Sequence, residues 1–186
     1  MKYNKIQDLK NFSLPSNFRG KGKITVQLWW LVSSTLFSWS PQFMYSFRVS
    51  LLRMFGAKIG SNVLIRPTVI ITYPWKLVIG SNSWIGDNVK IYNLGNIIIG
   101  NDVVVSQESY LCTGSHNYRK STFDIWQKEI VINDESWIGT DVFIYPGIIV
   151  GKGVVVAARS TVTENLIDNN IYAGTPAKLL KKRLDS

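Results

Sequence analysis

From Ile59 onward an aliphatic residue returns every six positions. The beat runs through Ile59, Ile65 and Ile71, then Ile79, Ile85 and Ile91, then Ile99, Val105 and Leu111. It resumes at Ile132, Ile138, Ile144, Val150, Val156 and Val162. Glycine follows directly at Gly60, Gly80, Gly86, Gly100, Gly139 and Gly151. Small or β-branched residues come four places after the aliphatic one, among them Val63, Val69, Ser83, Val89, Val103, Ser136, Val142, Val154 and Ser160. A helix has no use for a period of six, and an ordinary sheet wants a period of two. Three hexapeptides instead make one triangular coil of 18 residues, and coils stack as short parallel strands about 4.8 Å apart. The pattern predicts an all-β parallel β-helix of about five coils over residues 59–167. Its aliphatic residues point into the prism, and the glycines turn the corners with positive φ.

Three breaks interrupt the phase. The steps from Ile71 to Ile79 and from Ile91 to Ile99 each carry two extra residues, which predicts two small bulges. The step from Leu111 to Ile132 carries fifteen more than the beat requires. A regular coil does not need such an excursion, and long loops on rigid scaffolds often hold function. This inserted loop, residues 112–131, contains His116, the one histidine of the chain.

Ahead of the repeat, residues 1–58 form a separate segment. The stretch before Lys23 is polar and basic, with Pro15, Gly20 and Gly22 as breakers, and reads as an irregular arm. Ile24–Trp39 is apolar but only about 16 residues long, against the ~20 that a membrane-spanning helix needs. A second helix is expected from Pro41, with Phe43, Phe47, Leu51 and Phe55 on one face and Arg48 and Arg53 on others. Two readings stay open. The helices pack on the main domain or a neighbouring subunit, or they anchor peripherally in a membrane surface, tryptophans at headgroup depth.

Composition narrows the chemistry. The chain has 186 residues, one cysteine, one histidine and a formal charge of +9. One cysteine excludes a disulfide framework, and one histidine excludes a site built from several imidazoles. The charge sits at the ends. Residues 1–58 hold nine Lys/Arg (Lys2, Lys5, Lys10, Arg19, Lys21, Lys23, Arg48, Arg53, Lys58) against one acid, Asp8. Residues 168–186 form a basic tail with Lys178, Lys181, Lys182 and Arg183. The repeat between them is close to neutral, which speaks against a nucleic-acid binder, whose cations belong on the main folded surface.

Gly114-Ser115-His116-Asn117-Tyr118, Trp137-Ile138-Gly139-Thr140 and Ala173-Gly174-Thr175-Pro176-Ala177-Lys178 stand in this order along the chain. With them the sequence from about Gly56 to Arg183 resembles the hexapeptide-repeat acyltransferases. Tyr73-Pro74-Trp75, Ile91-Tyr92-Asn93-Leu94 and Leu111–His116 look most like the colanic-acid-type exopolysaccharide acetyltransferases. The resemblance implies a left-handed coil and a homotrimer with active sites between subunits. It further implies acetyl-CoA as acyl donor, a saccharide acceptor and no required metal. The expected location is cytoplasmic, peripheral on the inner face of a membrane where residues 1–58 serve as the anchor.

By the same resemblance His116 is the general base, a role worth roughly 10²–10⁴ in rate. The acceptor that orients its second nitrogen stays open among a backbone carbonyl, Asn117 and Asp124. The resemblance gives the Thr140 amide to the oxyanion, after Gly139. Trp137 is placed beside the pantetheine arm, Ala158 and Thr163 along the groove, and Lys178 and Lys181 at the CoA phosphates. Arg159 and Glu164 depart from the family's small residue and lysine. Asn93, Asn117, Tyr118 and Asp124 are candidates for the acceptor sugar, and Cys112 reads as a small apolar filler. A non-catalytic β-solenoid scaffold is the alternative function. It accounts for the coil but not for the histidine loop, Trp137 and basic tail together.

Overall fold

The computed structural model describes residues 5–184, so Lys2 lies outside the described residues. Five complete coils stack in sequence. Their strands begin with Lys58–Ile59, Leu64–Ile65 and Ile70–Ile71 and end with Ile149–Val150, Val155–Val156 and Thr161–Val162. A sixth turn starts at Leu166, bridged to Val150, and reaches the strand Asn170–Ala173. The first, second and third strands of successive coils form three parallel faces of a prism. Register keeps the beat: Ile79 pairs with Ile99, and Ile99 with Ile132.

All fifteen in-phase aliphatic residues are buried, none more than 9% exposed. Each contributes about 1.5–3 kcal/mol on leaving water. The residues four places later are inside as well, Val89, Val103 and Val154 completely. Serine takes this place without loss because its hydroxyl finds a carbonyl on the next coil: Ser83 Oγ donates to Gly100 O at 2.8 Å and Ser136 Oγ to Gly151 O at 2.8 Å. Buried hydroxyls of this kind need such partners.

The corners differ from expectation. Positive φ falls not on the glycines after the aliphatic residues but two places later, at Asn62, Asn82, Asn88, Asp102, Glu108, Glu135, Asp141 and Arg159. Asn and Asp tolerate this region because a short polar side chain offsets the strain locally. The asparagines also ladder from coil to coil, Asn62 to Asn82 at 3.3 Å and Asn82 to Asp102 at 3.1 Å. The glycines serve a different need. A Cβ on Gly80 would lie 2.5 Å from the Gly100 backbone of the next coil, so only glycine permits the stacking distance.

Both open ends of the prism are covered, as a stacked-repeat core requires. At the bottom, α1 (Lys23–Val32) runs into a single π turn, Ser33–Phe37. The following helix, α2 (Tyr45–Met54), starts four residues later than Pro41 suggests. Its buried face also differs from expectation. Phe43 is exposed, whereas Arg48 is completely buried with Val49, Leu51 and Leu52. Arg48 Nε donates to Ile65 O at 2.7 Å, Nη1 to Ser40 Oγ and Pro41 O, and Nη2 to Gln42 O. The guanidinium supplies donors to Ile65 O of the first coil and Gln42 O of the α1–α2 connection, and adds a second donor to Pro41 O, which already accepts from Met44 N at 3.0 Å. At the top, Lys178–Lys182 turns back antiparallel onto Asn170–Ala173, so the C-terminal basic segment is a β-hairpin that extends the second face.

Candidate active site

The three phase breaks stack on one corner, where each third strand leads into the next coil. Tyr73–Trp75 is the first bulge, Asn93–Gly95 the second, and the inserted loop leaves after Cys112. Each later break holds the one below it. Asn93 is completely buried, its Oδ1 accepting from Tyr73 N at 2.9 Å and its Nδ2 donating to Tyr73 O at 2.6 Å. Its amide therefore fastens two bulges together and presents nothing to an acceptor sugar. Thr113 Oγ1 donates to Tyr92 O at 2.9 Å and accepts from Gly95 N at 2.8 Å.

The inserted loop is an ordered hairpin. Gly114–His116 pairs antiparallel with Ile125–Gln127, placing His116 opposite Ile125. At its tip the imidazole stacks on the Phe123 ring, with centroids 4.3 Å apart and planes 10° from parallel. His116 Nδ1 lies 2.7 Å from Phe123 O. A carbonyl can only accept, so Nδ1 carries a proton, and in the neutral ring Nε2 keeps its lone pair. Phe123 achieves this with φ at 52°, an uncommon conformation for an aromatic residue. Of the partners left open in the sequence, the backbone carbonyl is the one that bonds the ring. Asp124 instead accepts from Lys120 Nζ at 2.8 Å and Thr122 Oγ1 at 2.6 Å. The Lys120 bond, then the Thr122 hydroxyl, hold its carboxyl below the ordinary value. Asn117 Oδ1 accepts from Arg119 N, and Tyr118 stands exposed at the tip. Cys112 is half-buried with its thiol pKa pushed up by burial, in keeping with a filler.

One part of this corner has no signal in the sequence. The N-terminal arm crosses it: Asp8 N donates to Ser121 O at 2.7 Å, and Phe12 lies 6.0 Å from the imidazole on a tilted plane. Lys76 staples the crossing, its ammonium donating to Phe18 O at 2.7 Å and also to Leu94 O. Burial lowers the pKa of that ammonium. Trp75 Nε1 adds a bond to Arg19 O at 2.7 Å. The arm is thus irregular, as expected, but tied down.

A second set of residues lines the next edge of the prism. Trp137 is half-exposed on the second face, its Nε1 donating to Ser106 Oγ at 2.9 Å. Gly139 turns from there towards Thr140, whose carbonyl accepts from Arg159 N at 2.8 Å. The Thr140 amide donates to no acceptor among the described residues, and neither does that of Ala158 one coil above. Asp87 and Gln107 repeat this in the lower coils, so a row of open N–H groups is a property of the corner itself. Ala158, Thr163, Lys178 and Lys181 all lie on the exposed surface beyond. Lys178 faces Glu164 at 3.7 Å and Arg159 faces Asp141 at 3.8 Å, so each departure from the family pattern comes with a counter-charge. Within one chain, this groove and the histidine hairpin occupy different corners.

Gly139→Ala tests the groove's construction. Its Cβ would sit 2.6 Å from Val156 O and 2.8 Å from Ala158 N, both backbone atoms. The coil has to separate there, so the variant is expected to lose about 1–3 kcal/mol in urea unfolding. Unchanged stability would contradict this account of the glycines.

A prism built from six-residue repeats with one histidine hairpin at a corner defines the hexapeptide-repeat acyltransferase class. The comparisons agree with the geometry. The chain is 52% identical over 181 residues, 97% of its own length and 100% of the relative's, to the protein named "Putative colanic acid biosynthesis acetyltransferase WcaF" in Escherichia coli K12. It is 29% identical over 138 residues, 73% of this chain and 68% of the relative, to the Escherichia coli galactoside O-acetyltransferase. A hexapeptide-repeat acetyltransferase of Vibrio cholerae, solved with acetyl coenzyme A, superposes with a TM-score of 0.79 at 26% identity, covering 88% of this chain and 89% of that one. No protein-family model matches the chain. The chain belongs to the colanic-acid-type exopolysaccharide acetyltransferases, a family of hexapeptide-repeat enzymes.

Proposed function

We propose that the protein moves an acetyl group from acetyl-CoA to a hydroxyl of a saccharide, in the making of an exopolysaccharide, with His116 as general base. The observation that carries this is the His116 tautomer: Nδ1–H is held by Phe123 O, so Nε2 is the nitrogen able to take a proton. The sugar hydroxyl gives that proton to Nε2 as its oxygen bonds to the thioester carbon. The carbonyl oxygen gathers negative charge, and the open Thr140 N–H is a fixed donor for it, a device worth about 3–4 kcal/mol. When the carbon–sulfur bond breaks, the imidazolium returns its proton to the departing thiolate. Products are the acetate ester and free CoA.

Trp137 supports the pantetheine arm, Ala158 and Thr163 the groove beyond it, and Lys178 and Lys181 the phosphates. Among the described residues Lys181 has no ion pair, so it is the freer of the two cations. Tyr118 and Asn117, at the tip of the hairpin, are the residues best placed to touch the acceptor, while Asp124 holds the tip together. Since hairpin and groove lie on different corners, we place three sites in a homotrimer, the hairpin of one subunit meeting the groove of the next. The expected location is cytoplasmic, at the inner face of a membrane.

Thiol release from acetyl-CoA, followed across a panel of soluble sugars and oligosaccharides, tests the reading. Turnover that requires one acceptor class supports it, whereas no turnover with any acceptor favours a non-catalytic scaffold. Trp137→Ala is expected to raise KM for acetyl-CoA about tenfold, the loss of one aromatic contact of about 1.4 kcal/mol. Equal affinity in the two proteins would move the donor elsewhere.

A further inference from the structure

The N-terminal cap has two faces, and the coil uses only one. Val26, Trp29 and Phe37 are buried against it, and Trp29 Nε1 donates to Ile71 O at 2.8 Å. On the other side Ile24, Leu28 and Leu31 recur at helical spacing along α1, and all three are exposed. Leu36 in the π turn and then Trp39 and Phe43 are exposed as well, the last two at 82% and 80%. Few soluble surfaces leave so many large apolar side chains together without a partner.

The hydroxyls of the π turn are already spent on the helix's own carbonyls. Ser33 Oγ donates to Trp30 O at 3.0 Å, Ser34 Oγ to Leu31 O at 3.1 Å, and Thr35 Oγ1 to Leu31 O at 2.6 Å. A helix whose hydroxyls bond its own carbonyls can enter an apolar layer without leaving them unsatisfied. The charge around it has one sign. No Asp or Glu occurs between Asp8 and Asp87, while Lys10, Arg19, Lys21 and Lys23 lead into α1. No helix among the described residues is long and apolar enough to cross a membrane.

We infer that the outer face of α1, with the π turn and Trp39, lies in the headgroup layer of an anionic lipid bilayer, Lys21 and Lys23 meeting the lipid phosphates. Apolar insertion and cationic attraction together are what hold an interfacial helix. The cations distinguish this occupant from a second copy of the chain, since pairing two such faces would set like charges against each other. The inference does not depend on which sugar the enzyme acetylates.

The experiment uses the full chain, co-sedimented with phosphatidylcholine vesicles with and without phosphatidylglycerol. Binding is expected to the anionic vesicles and to weaken as salt rises. Leu28→Glu/Leu31→Glu and, separately, Lys21→Glu/Lys23→Glu should each lower the affinity by about tenfold or more, at about 1 kcal/mol per cation. Acetyl transfer to a soluble acceptor serves as the fold control and should stay within about twofold of wild type. The inference is overturned if wild type ignores anionic vesicles or binds both kinds alike, or if either variant binds as wild type does. It is equally overturned if Leu28→Glu/Leu31→Glu changes the subunit count in sedimentation velocity, because the face would then belong to a neighbouring subunit.

Discussion

His116→Ala should lower kcat for acetyl transfer by roughly 10²–10⁴ while leaving KM for acetyl-CoA close to that of wild type. The split follows from where the imidazole stands. It belongs to the hairpin, and the residues assigned to the donor belong to the groove on another corner, so removing the ring takes away proton transfer and no donor contact. The substitution is tolerable to the fold because the ring is only half-buried, and because the hairpin is held independently by its pairing with Ile125–Gln127. Initial-rate kinetics at varied acetyl-CoA, with circular dichroism as the control for folding, measure both quantities. A variant that turns over normally would remove His116 from the mechanism. Phe12→Ala gives a useful contrast. The Phe12 ring lies beside the imidazole, centroids 6.0 Å apart, without sharing its proton, so kcat should fall only a few-fold, in line with a positioning residue.

Arg48→Met is expected to have the largest effect on stability outside the coil core. Methionine fills much of the same apolar space but has no donor for Ile65 O or Gln42 O, while Pro41 O keeps its bond from Met44 N. A buried carbonyl left without a partner costs about 1–3 kcal/mol. With the Ile65 carbonyl enclosed and that of Gln42 partly so, the total should reach about 2–4 kcal/mol. For a chain of this size the corresponding fall in Tm is on the order of 10 °C. Arg48→Lys should lie between, since an ammonium can reach some of these oxygens but lacks the planar fork that serves all of them. A loss under about 1 kcal/mol for Arg48→Met would mean that water replaces the guanidinium at this joint.

These two residues mark the limits of reading the chain in one dimension. His116 was legible because it interrupts a strict beat: it lies in the one long excursion between Leu111 and Ile132, and a rigid prism makes every excursion conspicuous. Arg48 was not. Its neighbours suggest a surface cation on an amphipathic helix, and the carbonyls it satisfies include Ile65 O, an oxygen of the first coil. The same holds for Asn93, which follows Tyr92 as if it faced the site but is enclosed by Tyr73 one coil below. Phe12 and His116 are more than a hundred positions apart, and no spacing relates them. Phe123 is the subtler case, for its side chain matters less than the direction of its carbonyl, which a positive φ sets and residue type does not announce.

The six-residue period by itself determined the prism, its core, the stacking of its coils and the places where the stacking is broken. It could do so because each coil contacts only its neighbours, so the packing rule is local and repeats along the chain. Only the tertiary structure decided which atom holds the imidazole, which polar side chains are spent on the frame, and where positive φ falls. It also brought the N-terminal arm across the histidine hairpin and turned an apolar surface of α1 outward. Those outcomes depend on contacts between distant segments, whose energies come from burial and paired donors rather than from any recurring interval in the sequence.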